Sequence, residues 1–151
     1  MQRLGTHMLK TILTTTAVLA ATTFAAGVAA AHPGGPVQTL DRFQSPSGNI
    51  ACGIFDGRLR CDVADFTYAP PERPGSCDAS WGHAIVLDTT GPARFACVSD
   101  TVADPALPVL DYGNQAGSAG FQCESAEDGF TCATTDGAHG FHVARDDYWV
   151  V

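Results

Sequence analysis

His139 and His142 stand three positions apart near the C-terminal end of a chain of 151 residues. Imidazoles are the usual side chains for metal ligation or general-base work near neutral pH. On one extended strand, a separation of three places two side chains on opposite faces, so the pair could not share a metal there. A turn histidine beside a solvated strand histidine is the simpler picture. Ala116-Gly117-Ser118-Ala119-Gly120 approximates a serine nucleophile elbow with Ala in place of the first glycine. An elbow needs a strand before it and a helix after it. Here a loop is expected before and a strand after, which favours a flexible small-residue segment. Asp136-Gly137, Asp146-Asp147 and Glu127-Asp128 could collect calcium from neighbouring loops. They lack EF-hand spacing, so solvated acidic turns are the expectation. Trp81, Tyr112, Tyr148 and Trp149 could form an aromatic platform. Trp81, Tyr112, His139 and His142 are retained as the candidate partner surface. No catalytic, metal-binding or cofactor-binding residue is assigned, and no cofactor is expected.

The six cysteines carry the firmest chemistry. An even count in a short exported chain implies a disulfide framework. Cys52 and Cys61 flank Asp56-Gly57, a strong two-residue hairpin signal. A turn there pairs Phe55 with Arg58, Ile54 with Leu59, Gly53 with Arg60, and Cys52 with Cys61. The cysteines then fall at a non-hydrogen-bonded position, where Cα atoms are about 4.5 Å apart and a bridge fits. Ile50, Cys52, Ile54, Leu59, Cys61 and Val63 share one face, while Arg58, Arg60 and Asp62 point the other way. Cys123 and Cys132 repeat the spacing. A four-residue loop from Ala126 to Gly129 would pair Ser125 with Phe130 and Cys123 with Cys132. Cys77 and Cys97 pair by elimination. Zinc is the competing use of cysteine, but no Cys-x-x-Cys spacing exists here.

Residues 1–31 read as a secretory signal peptide. Arg3 and Lys10 open it, an apolar stretch runs from Thr11 to Ala30, and Ala29-Ala30-Ala31 offers a cleavage site near Ala31. Six threonines and few large aliphatics argue against a retained membrane span. The whole chain has 8 basic and 16 acidic residues, a net charge of −8. Both basic residues of the signal leave with it, so six arginines and all 16 acids remain, a net charge of −10. Such acidity argues against nucleic acid as partner, because phosphate binding needs a basic face.

The elements that must position these residues are short strands between turn-rich loops. Ser45-Pro46-Ser47-Gly48 fits a type I turn leading into the first hairpin. Ala64 to Ser80 is a Pro-rich loop. His83 to Asp88 and Ala93 to Val98 are strands, with Phe95 and Cys97 inward. Ser99 to Ala119 is a long loop, and Phe141 to Val143 and Tyr148 to Val151 are late strands. The expected class is all-β: a small disulfide-stapled antiparallel sandwich or open barrel of about seven to nine short strands. Residues 32–39 are expected as a flexible linker and 40–151 as a single disulfide-bonded domain.

The run Phe43-Gln44-Ser45-Pro46-Ser47-Gly48-Asn49-Ile50-Ala51-Cys52 resembles the opening signature of a family of small secreted actinobacterial proteins of unknown function. Arg60-Cys61-Asp62, Pro70-Pro71, Trp81-Gly82, Leu110-Asp111-Tyr112-Gly113 and Phe121-Gln122-Cys123-Glu124-Ser125 extend the resemblance over roughly residues 40–150. It implies an exported, disulfide-bonded domain and carries no catalytic residue across. The stretch Thr134 to Phe141 is loosened relative to the family's Gly-His-Gly-Phe pattern, which weakens His139 as a site residue. The expectation is therefore a secreted, non-enzymatic binding module, monomeric, with an envelope or extracellular partner. The alternative is a small secreted enzyme or enzyme inhibitor using His139, His142 and the acidic turns.

Overall fold

The computed structural model describes residues 35–151, so the expected signal segment lies outside the described residues. Among those residues there is no helix, and hence none long and apolar enough to cross a membrane. The first strands are β1 (Val37–Gln38), β2 (Arg42–Gln44), β3 (Ile50–Phe55), β4 (Arg58–Val63), β5 (Ala84–Asp88) and β6 (Arg94–Phe95). They are followed by β7 (Gln115–Ser118), β8 (Phe121–Ala126), β9 (Gly129–Thr134), β10 (Gly140–Val143) and β11 (Tyr148–Val150). A six-stranded sheet has the order β1-β7-β8-β9-β10-β11 and a five-stranded sheet the order β2-β3-β4-β5-β6. The two face each other without closing into a barrel, an all-β sandwich braced by three disulfides.

Eleven strands exceed the seven to nine expected. The additions are β1, β2 and β7. The first two are too short to show alternation, and β7 is built from Gln, Ala, Gly and Ser, which have little strand preference of their own. Packing decides them instead. Ala116 is buried in the core, and a Cβ on Gly117 would come within 2.9 Å of the Val37 side chain. That close approach seats β1 beside β7 in the one parallel pairing between the named strands. Part of the expected 32–39 linker is thus a sheet strand, and the end of the expected 99–119 loop is another.

Both cysteine hairpins form. Asp56 and Gly57 have φ of 51° and 73°, the type I′ turn that matches strand twist. Ile50↔Val63, Cys52↔Cys61 and Ile54↔Leu59 follow. The second hairpin is tighter than expected. Ala126 pairs with Gly129, leaving Glu127-Asp128 as the turn, while Cys123↔Cys132 and Ser125↔Phe130 keep their register. Gly129 has φ of 132°, and a Cβ there would meet the Val143 carbonyl oxygen at 2.3 Å, so a side chain has neither the conformation nor the room. The bridges are Cys52–Cys61, Cys77–Cys97 and Cys123–Cys132, with Cα separations of 4.1, 5.6 and 4.0 Å.

The core lies between the sheets. Phe43 on β2 meets Phe130 on β9 edge-on, with ring centroids 5.6 Å apart. The Sγ atoms of Cys52, Cys61 and Cys132 lie within 4.8 Å of one another, so the two hairpin bridges touch across the sandwich. A second aromatic group packs on this core: Tyr68, Phe95 and Tyr148, with Phe66 and Trp81 beside them. The Tyr68 hydroxyl donates to the Gly82 carbonyl over 2.8 Å, and burial, helped by Tyr148, pushes its ionisation above the ordinary phenol range. Cys97 is exposed, not inward. Strand β6 ends at Phe95, and Val98 bridges to Ser80, so the alternation that would turn Cys97 inward has already lapsed.

Candidate functional site

The outer face of the five-stranded sheet is not a plain solvated surface. Register places Arg42 opposite Gly53, Gly53 opposite Arg60, Arg60 opposite Val86, and Val86 opposite Arg94. Residues directly opposite share a face, so three arginines from β2, β4 and β6 stand in one row across the sheet. Strands are about 4.8 Å apart, which spaces their Cα atoms by about 9.6 Å. A second row, Phe55–Arg58–Asp88, runs beside the first. Over these rows opens a groove of about 760 Å³. Four of the six arginines that follow Ala31 line it.

One wall is the segment after β6. Val102 and Leu107 pack on Ala51, which anchors that segment to the outer face of the sheet. Polar bonds then fix its edge. Arg60 binds the buried Asp62 through two parallel bonds of 2.7 and 2.9 Å and reaches the Asp100 carboxylate and carbonyl at 2.8 and 2.7 Å. The Val102 amide donates to Asp62 over 3.0 Å, and Arg42 donates to the Val102 carbonyl over 3.2 Å. Burial works against the Arg60 charge, but its hydrogen bonds with Asp62 and Asp100 outweigh that and raise its titration above the ordinary value. The opposite wall is the β3–β4 turn. There the Phe55 ring lies over Gly53, where any Cβ would clash with it at 2.5 Å, and the Arg42 guanidinium sits 5.8 Å from the ring centroid.

Arg58 and Arg94 differ from Arg60. Both are half exposed and both converge on one carboxylate: Arg58 Nε donates to Asp88 Oδ1 over 2.5 Å and Arg94 Nη1 to Oδ2 over 2.6 Å. The bonds from Arg58 and Arg94 hold the Asp88 carboxyl below its ordinary range. A depressed folded value means this contribution is complete above the unfolded value, about 3.9, and is lost as pH falls through the folded one. A carbon-detected NMR titration is therefore expected to give Asp88 a midpoint below that of a free aspartate. A midpoint at or above the free value would contradict the shared bridge.

The sequence-based candidates are dispersed. Trp81 is half buried against Phe95 and donates Nε1 to the Pro71 carbonyl over 2.8 Å. Tyr112 is exposed beside a small pocket of about 130 Å³ that also touches Glu127, Asp128 and Asp146. His142 faces outward on the six-stranded sheet, stacked on Trp149 and hydrogen-bonded to Thr131 over 3.0 Å. His139 precedes β10, in the turn that holds Asp136, whose carboxylate is lowered by bonds from the Thr134 hydroxyl and the Ala138 amide. Tyr148 belongs to the aromatic group beside the core. Ser118 ends a strand, bonds to Asp41, and leads through Ala119-Gly120, both at positive φ, into another strand. That is a hairpin turn and not a nucleophile elbow.

The arginine row was missed although part of its signal was present. Arg58 and Arg60 alternate away from the core on the first hairpin, and an inward Phe95 implies an outward Arg94. Arg42 was hidden by the brevity of β2. No curated protein and no solved structure matches the chain. The profile of a family of unknown function does match, over residues 17–150. With nearly the whole chain covered, this protein belongs to the DUF6636 family.

Proposed function

We propose that this protein is an exported binding module whose working surface is the arginine-lined groove on the five-stranded sheet. The groove itself carries the reading: it is about 760 Å³, in the range of small-molecule and peptide sites, and its floor is a hydrogen-bonded sheet. Export is supported by the signal-like segment 1–31, by three disulfides, which persist in oxidising compartments, and by the resemblance to small secreted proteins. The partner is an envelope or extracellular molecule. The test is retention of native envelope material on the immobilised, oxidised protein. Thr101 is exposed and lines the groove, so Thr101→Trp obstructs it without entering the core. Thr101→Trp is expected to lower retention about tenfold or more. Trp149→Ala, on the other sheet, leaves it unchanged. Loss with Trp149→Ala and none with Thr101→Trp would place binding elsewhere.

A further inference from the structure

Resting on the groove as the binding surface, we propose that its ligand is an oxyanion, a carboxylate or phosphate group attached to a planar or apolar body. The charged group sits on the Arg58–Arg94 fork and the body lies against Phe55 and Val86. Among the described residues, Asp88 is the only hydrogen-bond partner of the Arg58 or Arg94 side chain, through one nitrogen of each. The remaining N–H donors of both guanidinium groups are unpaired and available for a bidentate contact. Two cations share this one anion, so the fork keeps a surplus positive charge. Arg42 has no carboxylate within ion-pairing distance among the described residues and adds a second free cation at the far end of the row.

Asp88 is the positioning residue. It holds two flexible side chains together before a ligand arrives, which lowers the ordering cost of binding. Arg60 has a different role, since its bonds to Asp62 and Asp100 tie it to the wall. Phe55 is 44% exposed although it flanks the groove, a large apolar face left open beside the cations. Val86 supplies the apolar floor between Arg60 and Arg94. Asp56 and Asp100 also line the groove, and with Asp62 and Asp88 they balance its four arginines. This face is therefore locally neutral on a molecule that is acidic elsewhere and repels an anion least, with the surplus cation held at the fork.

The probes are benzoate, phenyl phosphate, benzyl alcohol and benzylamine, titrated into the oxidised protein in phosphate-free buffer and followed by NMR. Saturable shifts of the Arg58 and Arg94 Nε–H and Phe55 ring signals are expected with benzoate or phenyl phosphate. The stronger of these two identifies carboxylate or phosphate as the natural group. Benzyl alcohol and benzylamine give no saturable shift. The double variant Arg58→Gln/Arg94→Gln weakens the anion about tenfold or more, while Arg58→Lys/Arg94→Lys retains part of the affinity. Arg58 and Arg94 are both half exposed, and melting of either double variant within a few degrees of the parent shows that the fold is intact. Equal response to benzyl alcohol, or undiminished binding in the glutamine variant, overturns the anion assignment. If Thr101→Trp still abolishes retention of envelope material in that case, the groove stands and only its ligand class is wrong. If Thr101→Trp has no effect either, the groove itself is not the binding surface.

Discussion

A small thiol reductant added to the folded protein is expected to open Cys77–Cys97 first and leave the two hairpin bridges closed until the domain unfolds. Exchange requires a thiolate to reach a sulfur atom. Cys97 is exposed at the groove wall, whereas Cys52, Cys61, Cys123 and Cys132 are at most 2% exposed and meet one another in the middle of the sandwich. Burial and loop entropy rank the bridges differently. The entropic estimate is about 3.3 kcal/mol for the separation of 20 and about 2.6 kcal/mol for each separation of nine. The most accessible bridge therefore closes the longest loop, and opening it alone should lower the melting temperature by about 10–15 °C. The three together contribute about 8–9 kcal/mol, comparable with the whole stability of a typical domain, so complete reduction is expected to unfold the protein. Timed alkylation with peptide mapping, alongside thermal melts, reads both steps. Alkylation of Cys52 or Cys132 ahead of Cys97 would refute the order. An unchanged melt after complete reduction would refute the dependence on bridges.

Phe130→Ala is expected to be the most damaging single truncation in the core, costing about 3–5 kcal/mol and lowering the melting temperature by about 12–20 °C. Phe130 is fully buried on β9 and meets Phe43 of the opposite sheet edge-on. Its removal leaves a cavity between two sheets whose backbones are already tied by cross-strand bridges, so little collapse can offset the loss. Phe55→Ala removes the same side chain from a 44% exposed position on the outer face and should shift melting by only a few degrees. Circular dichroism melts of the oxidised variants compare the two. Similar losses for both would mean that the Phe43–Phe130 contact does not hold the sheets together.

How much of this was legible in the chain differs from element to element. The first hairpin was readable to the residue, because Asp56-Gly57 can adopt a type I′ turn and the alternation on either side agrees with it. The second hairpin was readable in register but not in turn length, since Gly129 accommodates a tight strand entry that a looser loop could also have used. Strand β7 was not readable at all. Gln115 to Ser118 become a strand only because Val37 needs Gly117 beside it and the core accepts Ala116. Phe95 inward was a correct reading, while Cys97 inward failed where the chain left the sheet to pair with Ser80.

The candidate site divides along the same line. The amino-acid sequence by itself determined an all-β chain with two cysteine hairpins and arginines turned away from the core on the first of them. Those properties follow from turn chemistry and side-chain alternation, which act over about ten residues. The tertiary structure alone decided that Arg42, Arg60 and Arg94 stand in one row, that Arg58 and Arg94 share Asp88, and that the loop after β6 walls the row into a groove. The row depends on four successive strand pairings, of which only the β3–β4 hairpin is set by a local turn signal. Cooperative burial of the shared core sets the other three registers, which the sequence pattern around them left undetermined.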